Sequence, residues 1–233
     1  MGAEHLEQVV RETFVIVPAY NEARVIGDVV RGLLTSFPNV VVVNDGSSDD
    51  TAAVLKGVPA TVVTHYINLG QGAALQTGIK HALERGASYV VTFDADGQHR
   101  VEDALEAVRL LSEGGCDAVC GSRFLGTASN VPRFRKLVLK TAVGLANLTT
   151  GTRMTDAHNG LRALSRKAAS CLQLSQSGMA HASEIISQLR AHKMQIREVP
   201  VQIHYTEYSL AKGQSSMNGI NILFYLVIGR FLK

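Results

Sequence analysis

The sequence predicts an α/β fold, a mostly parallel sheet flanked by helices. Three observations lead there. Short β-branched runs alternate with segments of helical periodicity, no Pro/Ser-rich stretch or charge block divides the 233 residues, and polar clusters stand at the ends of three apolar runs. A chain of this length can fill one well-packed core. The reading is therefore one domain over residues 1–203 with a C-terminal appendage over 204–233.

Residues 13–18 (TFVIVP) read as the first strand and residues 39–44 (NVVVVN) as the second. Between them residues 22–36 carry Val25, Ile26, Val29, Val30, Leu33 and Leu34 at helical spacing. A third strand at 60–64 leads through a Gly-rich turn into a helix over 71–85. The fourth, 88–93 (SYVVTF), ends directly on Asp94-Ala95-Asp96. A helix over 101–112 and a strand over 117–120 follow. Beyond Gly121 the pattern is less regular, with helices expected near 133–150 and 183–192 and a last strand at 196–203. No internal repeat or low-complexity segment interrupts this order.

In open α/β sheets, ligands collect outside the carboxyl ends of the strands. Three clusters occupy such ends: Pro18-Ala19-Tyr20-Asn21-Glu22, Asn44-Asp45-Gly46-Ser47-Ser48 and Asp94-Ala95-Asp96-Gly97-Gln98-His99. Asp94 and Asp96 flank one residue at the end of an apolar strand, so both carboxylates can reach one cation. Hard oxygen ligands of this kind suit Mg²⁺ or Mn²⁺, which binds one or two carboxylates plus substrate phosphates. Gln98 and His99 could complete or support the site. Two acids in a turn can also simply be solvated or cap the next helix. Asp45 has two readings as well: an exposed carboxylate that accepts from a nucleobase or ribose, or a cap on the helix that follows. Asp156, in a turn with His158 and Asn159, could activate an acceptor oxygen or pair with Arg153 or Arg162. His65, His81, His181, His192 and His204 lack ligand-like spacing and read as ordinary residues. Gly70-x-Gly72 opens a helix like a dinucleotide loop, but Leu75 stands at the third small position of that fingerprint, which argues against a dehydrogenase.

These segments carry a resemblance. FVIVPAYNE (14–22), VVVNDGSSDDT (41–51), NLGQGAALQTG (68–78) and VTFDADGQH (91–99) are similar to the successive motifs of the family 2 glycosyltransferases, and within them of the dolichol-phosphate mannosyltransferase and polyprenyl-phosphate glycosyltransferase branch. The likeness continues through GSR (121–123), DAHNGL (156–161), MAHASE (179–184), EVP (198–200) and YSLAKGQS (208–215), and so covers nearly the whole chain in order. It implies a GT-A fold and a metal-dependent, inverting glycosyltransferase that uses a UDP- or GDP-linked sugar. On that resemblance, Pro18, Tyr20 and Glu22 would border the nucleoside, with Val43 and Asp45 closing on the base. Asp94, Ala95, Asp96 and Gln98 would hold metal and pyrophosphate, the metal on Asp94, Asp96 and Gln98. Arg123 and Lys212 would contact phosphates. Asp96 and Asp156 are the expected catalytic residues. Where the mannosyltransferases carry an arginine six residues before that lysine, this chain has Thr206, which argues against GDP-mannose as donor. The implied acceptor is a polyprenyl phosphate, whose oxygen is already ionised and needs no strong base. Rival readings are a soluble or protein hydroxyl acceptor with Asp156 as base, a nucleotidyltransferase, and a non-catalytic peripheral membrane protein.

Charge and composition narrow the setting. The balance of 23 basic to 20 acidic residues gives +3, too mild to argue for nucleic acid. Residues 118–155 contain no acid but hold Arg123, Arg133, Arg135, Lys136, Lys140 and Arg153, which suits an anionic ligand or membrane as well as a solvated helix face. Three cysteines without paired spacing fit a reduced compartment. The N-terminus lacks the apolar core of a secretory signal. The apolar stretch 219–232 falls short of the roughly 20 residues a span needs. Ile220, Leu223, Phe224, Val227, Ile228, Phe231 and Leu232 recur there at helical spacing, as an interfacial amphipathic helix requires. The expectation is a cytoplasmic protein, peripheral at the cytoplasmic face of the membrane, with residues 204–233 forming a flap and an interfacial helix. That helix could equally pack on the core or build a homo-oligomer.

Overall fold

The computed structural model describes residues 3–125, 154–176 and 180–204. The expected helix at 133–150, Lys212, and the flap and apolar tail lie outside the described residues. The elements, in chain order, are α1 (Ala3–Arg11), β1 (Thr13–Ala19), α2 (Ile26–Leu34), β2 (Asn39–Asn44), α3 (Thr51–Leu55), β3 (Thr61–Thr64), α4 (Gln71–Glu84), β4 (Tyr89–Thr92), α5 (Val101–Ser112), β5 (Ala118–Ser122), β6 (Arg162–Ser165), α6 (Arg166–Ser170), α7 (Ala180–Ala191) and β7 (Ile196–Pro200).

The strands form one seven-stranded sheet in the order β3-β2-β1-β4-β6-β5-β7. β1 pairs in parallel with β2 and β4, β2 with β3, and β5 with β7. β6 alone runs against its neighbours β4 and β5. The alternating side chains of the strands divide the core into two layers. Val15, Val17, Val40 and Val42 face one side, beneath Ile26, Val30 and Leu33 of α2 and Ala104, Ala107 and Val108 of α5. Ile16, Val41, Val43 and Val90 face the other, beneath Ala74, Leu75 and Ile79 of α4 and Ile185 and Leu189 of α7. Gly78 lets α4 settle onto β1, since a Cβ there would stand 2.2 Å from Ile16 Cγ2.

Several expectations are corrected. β6 was not anticipated: four residues are too few to show a period, and its first, Arg162, is polar although only 1% exposed. The short α1 and α6 were also missed. α2 starts at Ile26 rather than at 22, because residues 20–24 form a turn. There Asn21 takes φ 55, Val25 and Ile26 N–H bond Glu22 O, and the Asn21 and Glu22 N–H groups donate to Ser47 Oγ and Thr51 Oγ1. The last strand ends at Pro200, short of 203.

Candidate active site

β1, β2, β4 and β5 run in one direction, so the segments after them share the carboxyl edge of the sheet. A cleft of about 460 Å³ opens there, lined by Pro18, Tyr20, Glu22, Asp45, Asn68, Gln71, Asp94, Ala95, Asp96, Gln98, His99, Arg123, His158, Gly160 and Ile203, among others. Three clusters that the sequence places far apart thus share one wall-to-wall cavity.

At the β2 end, Asp45 is buried, and its carboxylate is engaged by the chain itself. Oδ1 meets His65 Nδ1 at 2.7 Å and accepts from Leu69 N–H at 2.9 Å; Oδ2 accepts from Gly70 N–H at 2.8 Å. His65 Nε2 in turn lies 3.0 Å from Thr77 Oγ1 on α4. Gly46, at φ 65, is required beneath this loop, because a Cβ would stand 2.5 Å from the Ile67 carbonyl carbon. Asp45 is therefore neither the exposed carboxylate nor the helix cap expected of it: it borders the cleft while pinning the loop 65–70. Val43 is a second correction. Its side chain is fully buried beneath α4 and does not line the cleft.

At the β4 end, Asp94 Oδ1 accepts from Gln71 Nε2 at 2.9 Å, and Oδ2 lies 3.5 Å from His99 Nε2. Gly160 packs so closely that a Cβ would overlap the Asp94 carboxylate at 1.9 Å. Asp96 Oδ1 accepts from Gln98 N–H at 3.0 Å. The two carboxyls titrate apart. Burial pushes Asp94 upward, but His99 beside it and the charges of Arg162 and His181 outweigh that and hold it below the ordinary range. Burial and the charge of Asp94 push Asp96 up to about 6, against the Gln98 N–H bond. Two half-buried carboxylates, one raised by the charge of the other, are what a hard divalent cation would relieve. Among the described residues no group of three or more His, Cys, Asp or Glu converges on one point. The chain would thus supply two carboxylates and the Gln98 amide, and a Mg²⁺ or Mn²⁺ ion would take its remaining ligands from substrate phosphates and water, which fits such ions.

At the β5 end, Arg123 lines the cleft, and its Nε lies 2.6 Å from Asp156 Oδ2, which also accepts from the Arg123 N–H at 3.0 Å. Asp156 is 2% exposed and stands behind Arg123 rather than in the cleft wall. Among the described residues its charged partner is Arg123, not Arg162, while Arg153 lies outside them, and its geometry is that of a residue that orients the guanidinium. Glu198 accepts from the Thr155 and Asp156 N–H groups and holds this turn from β7.

Of the expected site residues, Pro18, Tyr20, Glu22, Asp45, Asp94, Ala95, Asp96, Gln98 and Arg123 reach the cleft; Val43 and Asp156 do not; Lys212 lies outside the described residues. Sequence reasoning missed Gln71, His158 and Gly160 as cleft residues and took His65 for an ordinary histidine. Gln71 and Gly160 stand inside segments that carry the family likeness, so a signal existed for them. His158 stands in the same segment as Gly160 and shared that signal; His65 gave none, because its role depends on partners elsewhere in the chain.

A mostly parallel sheet with one reversed strand, helices on both faces and an Asp-x-Asp at the carboxyl edge of a central strand is a GT-A fold built for a nucleotide-sugar. The Glycosyl transferase family 2 profile matches residues 14–173, and the chain belongs to that family and is a glycosyltransferase. It is 33% identical over 241 residues to the UDP-N-acetylglucosamine–dolichyl-phosphate N-acetylglucosaminyltransferase of Methanococcus voltae, covering 92% of this chain and 94% of that protein. It is 33% identical over 225 residues to the polyprenol monophosphomannose synthase of Mycolicibacterium smegmatis, covering 91% and 83%. Among solved structures, it is similar to the glucosyl-3-phosphoglycerate synthase of Mycobacterium tuberculosis in complex with Mn²⁺ and UDP-glucose. That match has a TM-score of 0.71 and 20% identity, and covers 99% of this chain and 83% of that one.

Proposed function

We propose that this chain transfers a sugar, with inversion, from a nucleoside-diphosphate sugar to a polyprenyl phosphate, with Mg²⁺ or Mn²⁺ held by Asp94, Asp96 and Gln98. The observation that carries the reading is a single cleft lined by Asp94, by Asp96, whose carboxyl the charge of Asp94 helps to raise, and by Arg123. Relatives named for dolichyl phosphate and polyprenol monophosphomannose support the acceptor class.

When bound, the cation would neutralise the charge that grows on the departing diphosphate. An acceptor phosphate oxygen forms the new bond to the anomeric carbon, and the bond from that carbon to the diphosphate oxygen breaks. No proton needs to be removed from the acceptor, so a base is not required. Arg123 would bind a phosphate, and Asp156 would fix its guanidinium in one orientation. Tyr20 and Asp45 would border the nucleoside. A hydroxyl acceptor would need a base at the cleft, and Asp156, paired with Arg123, does not supply one.

The test is release of nucleoside diphosphate from a panel of UDP- and GDP-sugars with a short polyprenyl phosphate, in Mn²⁺ or Mg²⁺ and in EDTA. The expected product is a glycosyl polyprenyl phosphate formed only with metal. Release of pyrophosphate would identify a nucleotidyltransferase, and no turnover of any donor would overturn the reading.

Among the described residues no helix is long and apolar enough to cross a membrane. On sequence we assign residues 218–233 to the membrane surface, where the acceptor resides. Their removal should lower transfer to long-chain acceptor in vesicles at least about tenfold more than transfer to a short soluble analogue, a difference of about 1.4 kcal/mol. Equal losses would make the segment a core or oligomer element.

A further inference from the structure

We propose that His158 hydrogen-bonds the transferred sugar of the donor and sets which sugar is accepted. This rests on the glycosyl-transfer reading above. The order of strands is also an order of ligand parts along the rim. Asp45 follows β2, Tyr20 follows β1, Asp94 follows β4, His158 precedes β6, and Arg123 follows β5. With strands about 4.8 Å apart, the four steps from β2 to β5 span about 19 Å, room for a nucleoside, a diphosphate, a sugar and an acceptor phosphate in line. His158 falls between the carboxylates that would hold the diphosphate and the arginine that would hold a phosphate, which is where a sugar attached to the diphosphate must lie.

The side chain is built to meet a ligand. It lines the cleft, and neither ring nitrogen has a hydrogen-bond partner among the described residues. Its turn is fixed on every side. Arg162 Nη2 donates to Ala157 O at 3.1 Å, Leu161 N–H donates to Asn159 Oδ1 at 2.9 Å, and Thr92 Oγ1 donates to Gly160 O at 2.7 Å. Gly160 itself abuts the Asp94 carboxylate. These bonds fix the backbone that carries the imidazole and so confine where its ring can reach.

The chemistry favours an uncharged ligand group. Burial, then the nearby Arg162, with Arg123 and His181 acting in the same sense, pull His158 down to about 4 against the opposing charge of Asp156. At neutral pH it is one donor and one acceptor without charge, suited to a hydroxyl or acetamido group rather than a phosphate. A site that hydrogen-bonds a substrate group rejects analogues lacking it, because its own polar atoms are then left unpaired.

The experiment compares wild type with His158→Ala and His158→Gln, after thermal melts confirm folding. Calorimetric binding of UDP in Mn²⁺ is measured beside kcat/KM for UDP-N-acetylglucosamine, UDP-glucose and GDP-mannose with a short polyprenyl phosphate. In His158→Ala, UDP affinity stays within twofold, while kcat/KM for the preferred donor falls at least tenfold more than for the others. His158→Gln recovers part of that preference. A parallel loss of UDP binding, or a uniform loss on all three donors, would overturn the role of His158 alone. Absence of UDP binding and of turnover in the wild type would overturn the glycosyl-transfer reading and the assignment with it.

Discussion

The two ends of the cleft hold their carboxylates in opposite ways. At the β2 end, Asp45 is satisfied by groups of its own chain: His65, the Leu69 N–H and the Gly70 N–H. That end is complete without a ligand, and the carboxylate helps to hold the fold. At the β4 end, Asp94 has Gln71 and His99, but Asp96 has one N–H bond and a like charge beside it, and takes up a proton near pH 6. That end carries a cost that a divalent cation would remove. A buried acid with enough donors is structural, whereas a half-buried acid short of donors marks where a ligand charge belongs.

The sharpest way to break this comparison is to remove both acids and measure activity and stability together. Asp96→Asn should lower kcat about 1,000-fold or more, because the departing diphosphate loses its counter-charge. In EDTA at pH 8 the same variant should be more stable than wild type by about 1–3 kcal/mol, since a raised carboxyl represents about 1.4 kcal/mol for each unit above its ordinary value. The sign follows from proton counting. Between the usual Asp value and about 6, the folded chain holds a proton that the unfolded chain has lost, so wild-type stability falls as pH rises through that window. The advantage of the variant should therefore close when both are melted near pH 4. An Asp96→Asn protein that melts lower than wild type in EDTA would mean that the pair is not repulsive.

Asp45→Asn should act in the other direction on stability. An amide nitrogen cannot accept, so at least one buried donor loses its partner, at a cost of about 1–3 kcal/mol. If Asp45 also borders the base, the donor KM should rise with kcat little changed, since such contacts exist in ground and transition states alike. A fall in kcat with unchanged KM would remove it from the nucleoside side of the cleft. Calorimetry offers a smaller effect. Metal binding competes with the proton on Asp96, so Mn²⁺ affinity should be level above pH 7 and weaken towards tenfold per unit below about 6. An affinity that does not change from pH 5 to 8 would contradict the raised carboxyl. The least functional effect is expected at Gly78→Ala, where overpacking against Ile16 should cost about 1–3 kcal/mol while leaving kcat/KM nearly unchanged.

Much of the fold was legible in the sequence because its central strands are buried on both faces, so residues 13–18, 39–44 and 88–93 appear as continuous apolar runs with polar ends. The paired carboxylates of the cleft were legible for the same reason: Asp94 and Asp96 follow directly on such a run, and the end of a parallel strand is where ligands collect. Local pattern alone thus determined the α/β class, the clusters after β1, β2 and β4, and the family motifs that run through them. Only the tertiary structure decided that β6 enters the sheet reversed between β4 and β5, bringing Gly160 beside Asp94 and His158 into the cleft. It also turned Val43 into the core, joined Asp45 to His65 across 20 residues, and set Asp156 behind Arg123 across 33. Periodicity reports which face of an element is buried. Which carboxylate finds enough donors depends on the path of distant segments, and that path exists only once the chain has closed on its core.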